Sequence, residues 1–196
     1  MIYKEEIFGK YTHLRHVQIG DAEYILSLRT DPMYSRYIND TENVLDIQIE
    51  WIKQQQLKPN DYYFVIFDLN SNPKGLISLY NFDRDGLNAE IGRLICPKSP
   101  IQLYESLILI LSFGFENLGL KRMFSRMIAN NAEVIAFTRK LGAEFVGNGN
   151  FQNTNLQYIE FQILQKDWSI FKARNIMRLE NFVRVLAAIK SDSSSK

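Results

Sequence analysis

The sequence is short of cysteine and has no long apolar run. Its single cysteine, Cys96, cannot form an internal disulfide or a thiolate zinc site, which excludes a disulfide-stabilised secreted scaffold and a structural zinc domain. No segment approaches the roughly 20 apolar residues of a membrane span, and the first residues include Lys4, Glu5 and Glu6 where a signal peptide needs apolar side chains. We therefore expect a cytoplasmic protein that is not attached to a membrane.

An excess of charge of one sign is also missing. The 23 basic and 22 acidic residues leave a formal net charge of +1, so neither nucleic acid nor an anionic membrane is the expected partner. With 10 Gly, 5 Pro and 46% hydrophobic residues, the chain is unlike collagen, linkers and disordered segments. Its 196 residues fit one domain with a sizeable core, and the ligand has to be inferred from local patterns.

The residue pattern predicts strands and helices that alternate within one α/β (α+β) domain. Aromatic and β-branched runs between turn residues indicate strands, and apolar residues three and four apart indicate helices. Gly119 and Gly142 are placed to end two of the helices. The predicted strands are 12–17, 62–69, 75–82, 88–96, 121–129, 144–146 and 156–164. The predicted helices, the first capped by Asp21, are 22–29, about 44–56, 103–118, 131–141 and 168–189.

The order of these elements predicts the topology. Strands 62–69, 75–82 and 88–96 form an antiparallel meander, and the helix before strand 121–129 implies a parallel crossover. The result is a central, mixed, mostly antiparallel twisted sheet flanked by helices. The domain covers 1–166, a C-terminal helical extension covers 167–190, and 191–196 form a flexible polar tail.

Apolar side chains on two helices predict which faces are buried. In helix 44–56, Ile47 and Trp51 lie four apart and Ile49 and Ile52 three apart, which predicts an apolar packed face, whereas the glutamine-rich face is expected to be in water. On the last helix an apolar stripe is expected to pack against the domain or against a second copy of the chain, so a homodimer stays open. The stripe consists of Ile176, Leu179, Val183 and Leu186.

Most familiar catalytic motifs are absent from the chain. It has no phosphate-binding glycine loop, no dinucleotide-binding fingerprint, no nucleophile elbow and no metal-ligand spacing, so no metal site is predicted. His13 and His16 fall on opposite faces of a strand and are expected at the surface or its boundary. Cys96 is expected to be a small core residue and not a nucleophile.

Four segments in order carry a recognisable pattern over about residues 12–164. They read LRHVQIGDAEYILSLRTDP, NAEIGRLI, LSFGFENLGLKRMFSRM and NNAEVIAFTRKLGAEFVG. Together they resemble the GNAT superfamily of acyl-CoA-dependent N-acyltransferases. The resemblance implies the GNAT fold, acyl-CoA such as acetyl-CoA as co-substrate, a small-molecule acceptor with an amine, and no metal.

One loop departs from the family pattern. Where most GNAT enzymes carry glycines that close on the CoA pyrophosphate, this chain has Ile101 and Leu103. The loop around Pro100, together with Trp51 in the second helix, resembles the branch that acylates nucleotide-linked amino sugars. The expected reaction is transfer of acetyl or a slightly larger acyl group to a dTDP- or UDP-linked aminodeoxy sugar for surface polysaccharide, such as lipopolysaccharide. A protein N-terminal acetyltransferase of the ribosomal-protein type and a non-catalytic acyl-CoA-binding protein remain alternatives.

Acyl transfer to an amine needs a base for the amine proton, and Glu90 is the first candidate. The resembled family often places an acid on this site-facing strand. Strand alternation puts Glu90, Gly92 and Leu94 on one face, with Ile91 and Arg93 on the other. The alternative for Glu90 is an exposed cross-strand partner of Arg or Lys.

Asp83, in the turn before that strand, is the second candidate base. The tyrosine that many relatives use to protonate the leaving thiolate falls at Thr138, whose hydroxyl is far too weak an acid. The remaining routes for the thiolate are Tyr104, Tyr158, water, or departure without a proton donor.

The remaining site residues follow from the resemblance. Gly92 predicts a bulge in its strand, whose free backbone groups are expected to pair with the pantetheine arm and the oxyanion. Asn131 matches the family's cofactor-binding asparagine and is also a helix N-cap. The residues expected to bind acyl-CoA are Leu94, Ile95, Cys96, Ile101, Gln102, Leu103, Tyr104, Asn131, Phe137 and Lys140. Arginines that suit a diphosphate and tyrosines that suit a base or sugar are expected to bind the acceptor, namely Tyr34, Arg36, Tyr37, Tyr80, Asn81 and Arg84.

Overall fold

The computed structural model describes residues 3–38, 40–152 and 154–193, which form a sheet covered by helices on both faces. The strands are β1 (Ile7–Phe8), β2 (Thr12–His16), β3 (Tyr62–Asp68), β4 (Pro73–Tyr80), β5 (Asn88–Ile95), β6 (Arg122–Ile128), β7 (Glu144–Asn150) and β8 (Gln157–Leu164). The helices are α1 (Ala22–Thr30), α2 (Pro32–Ser35), α3 (Leu45–Leu57), α4 (Pro100–Ser112, extended by a π-turn over Phe113–Asn117), α5 (Ala132–Leu141) and α6 (Trp168–Ser193).

The eight strands lie in the order β1-β2-β3-β4-β5-β6-β8-β7. All neighbours are antiparallel except β5 and β6, which are parallel and are joined by α4. The mixed, mostly antiparallel sheet, the meander and the crossover are therefore confirmed. Gly119 and Gly142 end their helices with positive φ values of 71° and 92°, a backbone conformation that only glycine adopts readily.

Three predicted boundaries are wrong. β7 continues to Asn150 through the glycine-rich segment predicted as a loop, because Asn148 and Gly149 pair with β8. α4 begins at Pro100, three residues early, since proline suits the first turn of a helix. α6 continues to Ser193 into the predicted tail, whose residues 194–196 lie outside the described ranges. No helix within those ranges is both long and apolar enough to cross a membrane.

The predicted faces of α3 are wrong in part. Ile52 is buried and Ile49 packs against the same core, as expected. Ile47 and Trp51, however, are 47% and 37% exposed, whereas Gln48 and Gln55 are buried. The burial of Gln55 has a polar reason, because its amide donates to the backbone carbonyl of Asp61 at 2.8 Å and so satisfies a buried acceptor.

Two histidines are likewise buried, against expectation. The ring of His13 stacks on Phe67, and the ring of His16 meets Phe64 edge to face on the opposite side of the sheet. Burial lowers the pKa of His16, so this imidazole is neutral in the core.

Helices α4, α5 and α6 cover one face of the sheet, and α1 to α3 cover the other. The first half of α6 packs against α4 through Trp168, Phe171 and Leu179. Of the predicted stripe, Leu179 is therefore buried on the same chain, Val183 and Leu186 are half-buried, and Ile176 is 42% exposed. Its place in the interface is taken by Asn175, whose side-chain amide donates to the carbonyls of Phe171 and Leu141.

A buried carboxylate in α4 fixes the hairpin of β1 and β2. Glu105 accepts hydrogen bonds from the backbone N–H groups of Lys10 at 2.8 Å and Tyr11 at 2.7 Å. Gly9 is needed beside it, because a Cβ there would lie 2.7 Å from the carboxylate carbon.

Replacing Glu105 with Gln should lower the free energy of unfolding by about 1–3 kcal/mol, because one of the two N–H groups would then face an NH₂ donor. Urea unfolding measures the loss. The matched control is Glu180→Gln, which removes the surface salt bridge to Lys10 and should cost far less stability, because an exposed pair is screened by water. Equal losses in the two variants would contradict the prediction.

Candidate active site

The parallel strands β5 and β6 separate along their length. They pair only at Asn88 with Arg122, Ala89 with Met123 and Glu90 with Phe124. A cavity of about 910 Å³ is lined by β5 residues from Ile91 onward and by the diverging part of β6. Because neither strand pairs with the other there, backbone N–H and C=O groups face the cleft and are available to a ligand.

A bulge in β5 accompanies this separation. Gly92 pairs with Ser78 of β4 but Ile95 pairs with Leu76, so β5 holds one extra residue over this stretch. Arg93 occupies the bulge with a φ of 50°, in the left-handed region.

The expected close approach at Gly92 also occurs. A Cβ there would lie 2.6 Å from the hydroxyl oxygen of Tyr80. The predicted alternation is wrong beyond this glycine, because the extra residue turns Arg93 onto the face that carries Glu90, and Leu94 packs with the core of the other face.

The guanidinium of Arg93 is held by a buried carboxylate and three rings. It donates to the two carboxylate oxygens of Asp61 at 2.5 and 3.0 Å. Its carbon also lies over the rings of Trp51, Tyr63 and Tyr80, at 4.3 Å from the last. A bidentate, largely buried pair of this kind fixes both side chains in one geometry.

Glu90 stands at the last paired position, where the cleft closes. It is 5% exposed, so it is not the exposed cross-strand partner considered as its alternative. The carboxylate accepts from Asn81 Nδ2 at 3.0 Å and from the Tyr80 hydroxyl at 3.4 Å, and Arg126 approaches to 3.9 Å. Burial and the charge of Glu90 raise the pKa of Tyr80, so this phenol stays protonated and acts as a donor.

Asp83 has a structural role. Its carboxylate accepts from the backbone N–H groups of Leu87 and Asn88 at 2.8 and 3.1 Å, which closes the turn between β4 and β5. Hydrogen bonds from Asn88 lower the pKa of Asp83. Neither Asp83 nor its neighbour Arg84 is part of the cavity wall.

The cavity is lined from both faces of the sheet. On the face of α1 to α3, the wall includes Tyr34, Arg36 and Tyr37 of the predicted acceptor set. Tyr80 and Asn81, from the same set, are not part of the wall, and both donate hydrogen bonds to the carboxylate of Glu90. The wall also includes six of the residues predicted to bind acyl-CoA. Ile95 lies on the face of α1 to α3, and the other five, on the opposite face, are Leu94, Cys96, Leu103, Asn131 and Phe137.

Four residues predicted to bind acyl-CoA have side chains that lie away from the cavity. Ile101 packs into the core, and Gln102 donates to the carbonyl of Tyr11 at 3.3 Å, because α4 turns this side of its first turn towards β2. The Tyr104 hydroxyl donates to Asn175 Oδ1 at 2.7 Å, and Lys140 is exposed.

Two residues of the wall, Asn131 and Cys96, have interactions or surroundings that define their chemistry. Asn131 caps α5, with its side chain accepting from the N–H of Val134 at 3.4 Å. Burial raises the pKa of the Cys96 thiol to about 12, which agrees with a core residue and not with a thiolate nucleophile.

Several residues of this site were not predicted from the sequence. They are the Arg93–Asp61 pair, Arg126 at the cleft, and Phe171 and Asn175, through which α6 contributes to the wall. Asp61 follows a helix and precedes a strand, so only its tertiary contact to Arg93 distinguishes it. Over the described part of the chain, no group of three His, Cys, Asp or Glu residues is arranged to hold a metal ion.

Comparisons with known proteins agree on the class of this architecture. A family model described as an acetyltransferase (GNAT) domain matches residues 12–144. No curated protein matches the chain at a significant level.

Solved structures are similar over most of the chain. A GCN5-related N-acetyltransferase from Brucella melitensis has a TM-score of 0.76 and 17% identity, covering 90% of this chain and 86% of that one. FdhC, described as a nucleotide-linked sugar GNAT, has a TM-score of 0.74 and 25% identity, covering 89% and 97%. A mutant of the spermidine N-acetyltransferase SpeG from Vibrio cholerae has a TM-score of 0.69 and 19% identity, covering 82% and 97%.

Replacing Asp61 with Asn should loosen the bulge, because the guanidinium of Arg93 is then buried beside a neutral partner. We expect a loss of about 3 kcal/mol in the free energy of unfolding, and faster hydrogen exchange at 91–96 than in β3 when both are followed by mass spectrometry. Glu50→Gln is the control, since its pair with Lys53 is at the surface, is screened by water and should contribute little to stability. Exchange at 91–96 that matches the wild type would show that the pair does not hold the bulge.

Proposed function

The chain belongs to the GNAT acetyltransferase family and is an acyl-CoA-dependent N-acyltransferase, and we propose that its acceptor is the amine of a nucleotide-linked aminodeoxy sugar. The observation that carries the proposal is the cleft between β5 and β6, which closes at the pair of Glu90 with Phe124 and has arginines on one side of its wall only. The carboxylate of Glu90 is buried beside this end and is not itself part of the cavity wall. The 25% identity to FdhC supports the sugar nucleotide as acceptor. The product would be a precursor of surface polysaccharide.

The residues around the cleft fit acyl-CoA. The unpaired backbone of β5 beyond Glu90 offers N–H and C=O groups to an amide-containing arm, as the pantetheine arm is. The turn before α4 is built without the glycines of most relatives, because Lys98 takes the left-handed conformation with a φ of 53°. The first turn of α4 then presents unbonded backbone N–H groups of the kind that bind a pyrophosphate.

Acyl-CoA supplies a thioester whose carbonyl carbon is attacked by the acceptor amine. The amine nitrogen forms a bond to this carbon, the amine proton passes to the carboxylate of Glu90, and the carbon–sulfur bond breaks to release the CoA thiolate. Backbone N–H groups beside the bulge are placed to stabilise the oxyanion. Asn81 and Tyr80 donate hydrogen bonds that orient Glu90, and the guanidinium of Arg126 approaches its carboxylate to 3.9 Å.

The leaving thiolate has no tyrosine of the usual kind beside it. Thr138 is buried against the sulfur of Met127, and the Tyr104 hydroxyl is engaged by Asn175. The ring of Tyr158 lies under the guanidinium of Arg126, on the face of the sheet that α1 to α3 cover. We therefore propose that the thiolate leaves as an anion and takes its proton from water, since a thiolate is a good leaving group.

The part of the wall on the face of α1 to α3, which we call the acceptor side, suits a diphosphate. Arg36 lies over the ring of Tyr37 at 4.7 Å and forms no salt bridge with any described residue, so its fork of donors is available to phosphate oxygens. Tyr34 and Tyr37 offer aromatic faces to a base or sugar. Arg93 and Arg126 line the same region, but each is paired with a carboxylate, Asp61 and Glu160 respectively, which leaves Arg36 as the candidate phosphate ligand.

The acceptor class can be tested by thiol release from acetyl-CoA with matched acceptors. We expect the highest kcat/KM with dTDP- or UDP-linked aminodeoxy sugars and little turnover with spermidine or with peptides that begin at a free amine. Faster turnover of a peptide or of spermidine would overturn the sugar proposal. CoA binding without turnover of any acceptor would favour the non-catalytic alternative.

Two arginine variants sharpen this assay. Arg36→Ala should raise KM for the nucleotide sugar about tenfold with little change in kcat, because it removes a charge-assisted contact to phosphate. It should leave a free amino sugar unaffected. Arg84→Ala is the matched control, since the exposed side chain of Arg84 is not part of the cavity wall.

Replacing Glu90 with Gln should lower kcat by about 10² to 10⁴ with little change in CoA affinity, because the amide keeps the shape but cannot accept the amine proton. The defect should shrink as the pH rises from 6 to 9, since more acceptor amine is then already neutral. Steady-state kinetics and calorimetry with CoA measure the two quantities, with Glu180→Gln as a distant control. Unchanged turnover across this pH range would remove Glu90 from the mechanism.

A further inference from the structure

We propose that the cavity contains a separate pocket for the acyl chain of the donor, and that acyl groups longer than acetyl are its preferred occupants. This inference rests on the proposed function and concerns the donor only. We call the region the inner pocket and define it by the lining residues Leu107, Ile108, Leu111, Met123, Leu141 and Phe171.

The polarity of the wall separates the inner pocket from the rest of the cavity. All six side chains that define it are apolar, and five of them are buried members of the main core that nevertheless face this cavity. The charged residues of the wall are elsewhere. Arg36, Asp40, Arg93 and Arg126 lie on the acceptor side, and Glu133 is exposed in the first turn of α5.

The inner pocket lies under the closed end of the cleft. Met123 pairs with Ala89, one step before the last pair of Glu90 with Phe124, and its side chain points to the face of α4 to α6. Since α4 joins two parallel strands, it runs opposite to them and brings Leu111 to the same end. A thioester close enough to Glu90 for the reaction therefore has its acyl substituent directed towards this pocket.

The dimensions suit a short chain. Leu107 and Leu111 are four residues apart on α4, so the wall between them extends about 6 Å, the reach of an acyl chain of about four to six carbons. Ser125 and Thr138, which also line this side of the cavity, have short side chains and leave the entrance open.

Helix α6 closes the far end of the inner pocket. Phe171 contributes its ring, and Asn175 beside it has its amide N–H groups bonded to the carbonyls of Leu141 and Phe171. Its side-chain oxygen accepts from Tyr104. The polar groups at this end are thus satisfied by the protein, and the pocket offers a ligand only apolar surface.

Burial of methylene groups in such a pocket predicts a donor preference. Each CH₂ moved from water should tighten binding about fourfold until the pocket is full. Acetyl would leave the pocket empty, so it should be bound more weakly than butyryl or hexanoyl.

Calorimetry with non-hydrolysable thioether analogues of acetyl-, butyryl-, hexanoyl- and decanoyl-CoA tests this without turnover. The wild type should bind the hexanoyl analogue at least tenfold tighter than the acetyl analogue, with no further gain for decanoyl. Leu111→Phe should abolish the gain for hexanoyl and change the acetyl affinity less than twofold. Leu109→Phe is the matched control, because Leu109 is a buried leucine of the same helix that is not part of the cavity wall.

The outcomes separate this inference from the proposed function. Equal affinity of the wild type for all four analogues would overturn the inner pocket and leave the acyltransferase intact, as would an equal effect of Leu111→Phe on every analogue. Failure of all four analogues and of CoA itself to bind would overturn both. If Leu111→Phe does not fold, the wild-type series and Leu107→Phe decide the question.

Discussion

The salt bridge between Arg93 and Asp61 stabilises the bulge in β5, and the cleft between β5 and β6 depends on that bulge. A left-handed arginine in a strand is costly, and here a bidentate carboxylate and three aromatic rings compensate for the cost. The extra residue at this position increases the local twist of β5, which leaves β6 after Glu90. The unpaired backbone, the cavity and the position of the buried Glu90 carboxylate all follow from that departure.

The same geometry divides the site into two chemically different halves. Side chains alternate across a sheet, so Phe124 and Arg126 face α1 to α3, whereas Met123 and Met127 face α4 and α5. The first half collects the charged residues that suit a polar acceptor, and the second collects the apolar residues that suit a thioester. The two halves meet where the strands part, and the last paired residue of β5 at that point is Glu90.

Local pattern was sufficient for the order of the elements and insufficient for the direction of several side chains. Gly119 and Gly142 ended their helices as predicted because a C-cap depends on one residue's backbone freedom. The face of Arg93 could not be predicted, since strand alternation fails once a bulge inserts a residue. The burial of Gln55 could not be predicted either, because it depends on how the short loop after α3 turns the carbonyl of Asp61 back towards the helix.

The C-terminal helix belongs to the site and not only to the outside of the domain. The family match ends at residue 144, but the cavity wall continues through β8 to Phe171 and Asn175. Asn175 bonds to Tyr104 of α4 and to the last carbonyl of α5, so it ties the two helices that flank the donor side. A shift of α6 would therefore change the distance between α4 and α5, and with it the width of the space in which the donor must lie.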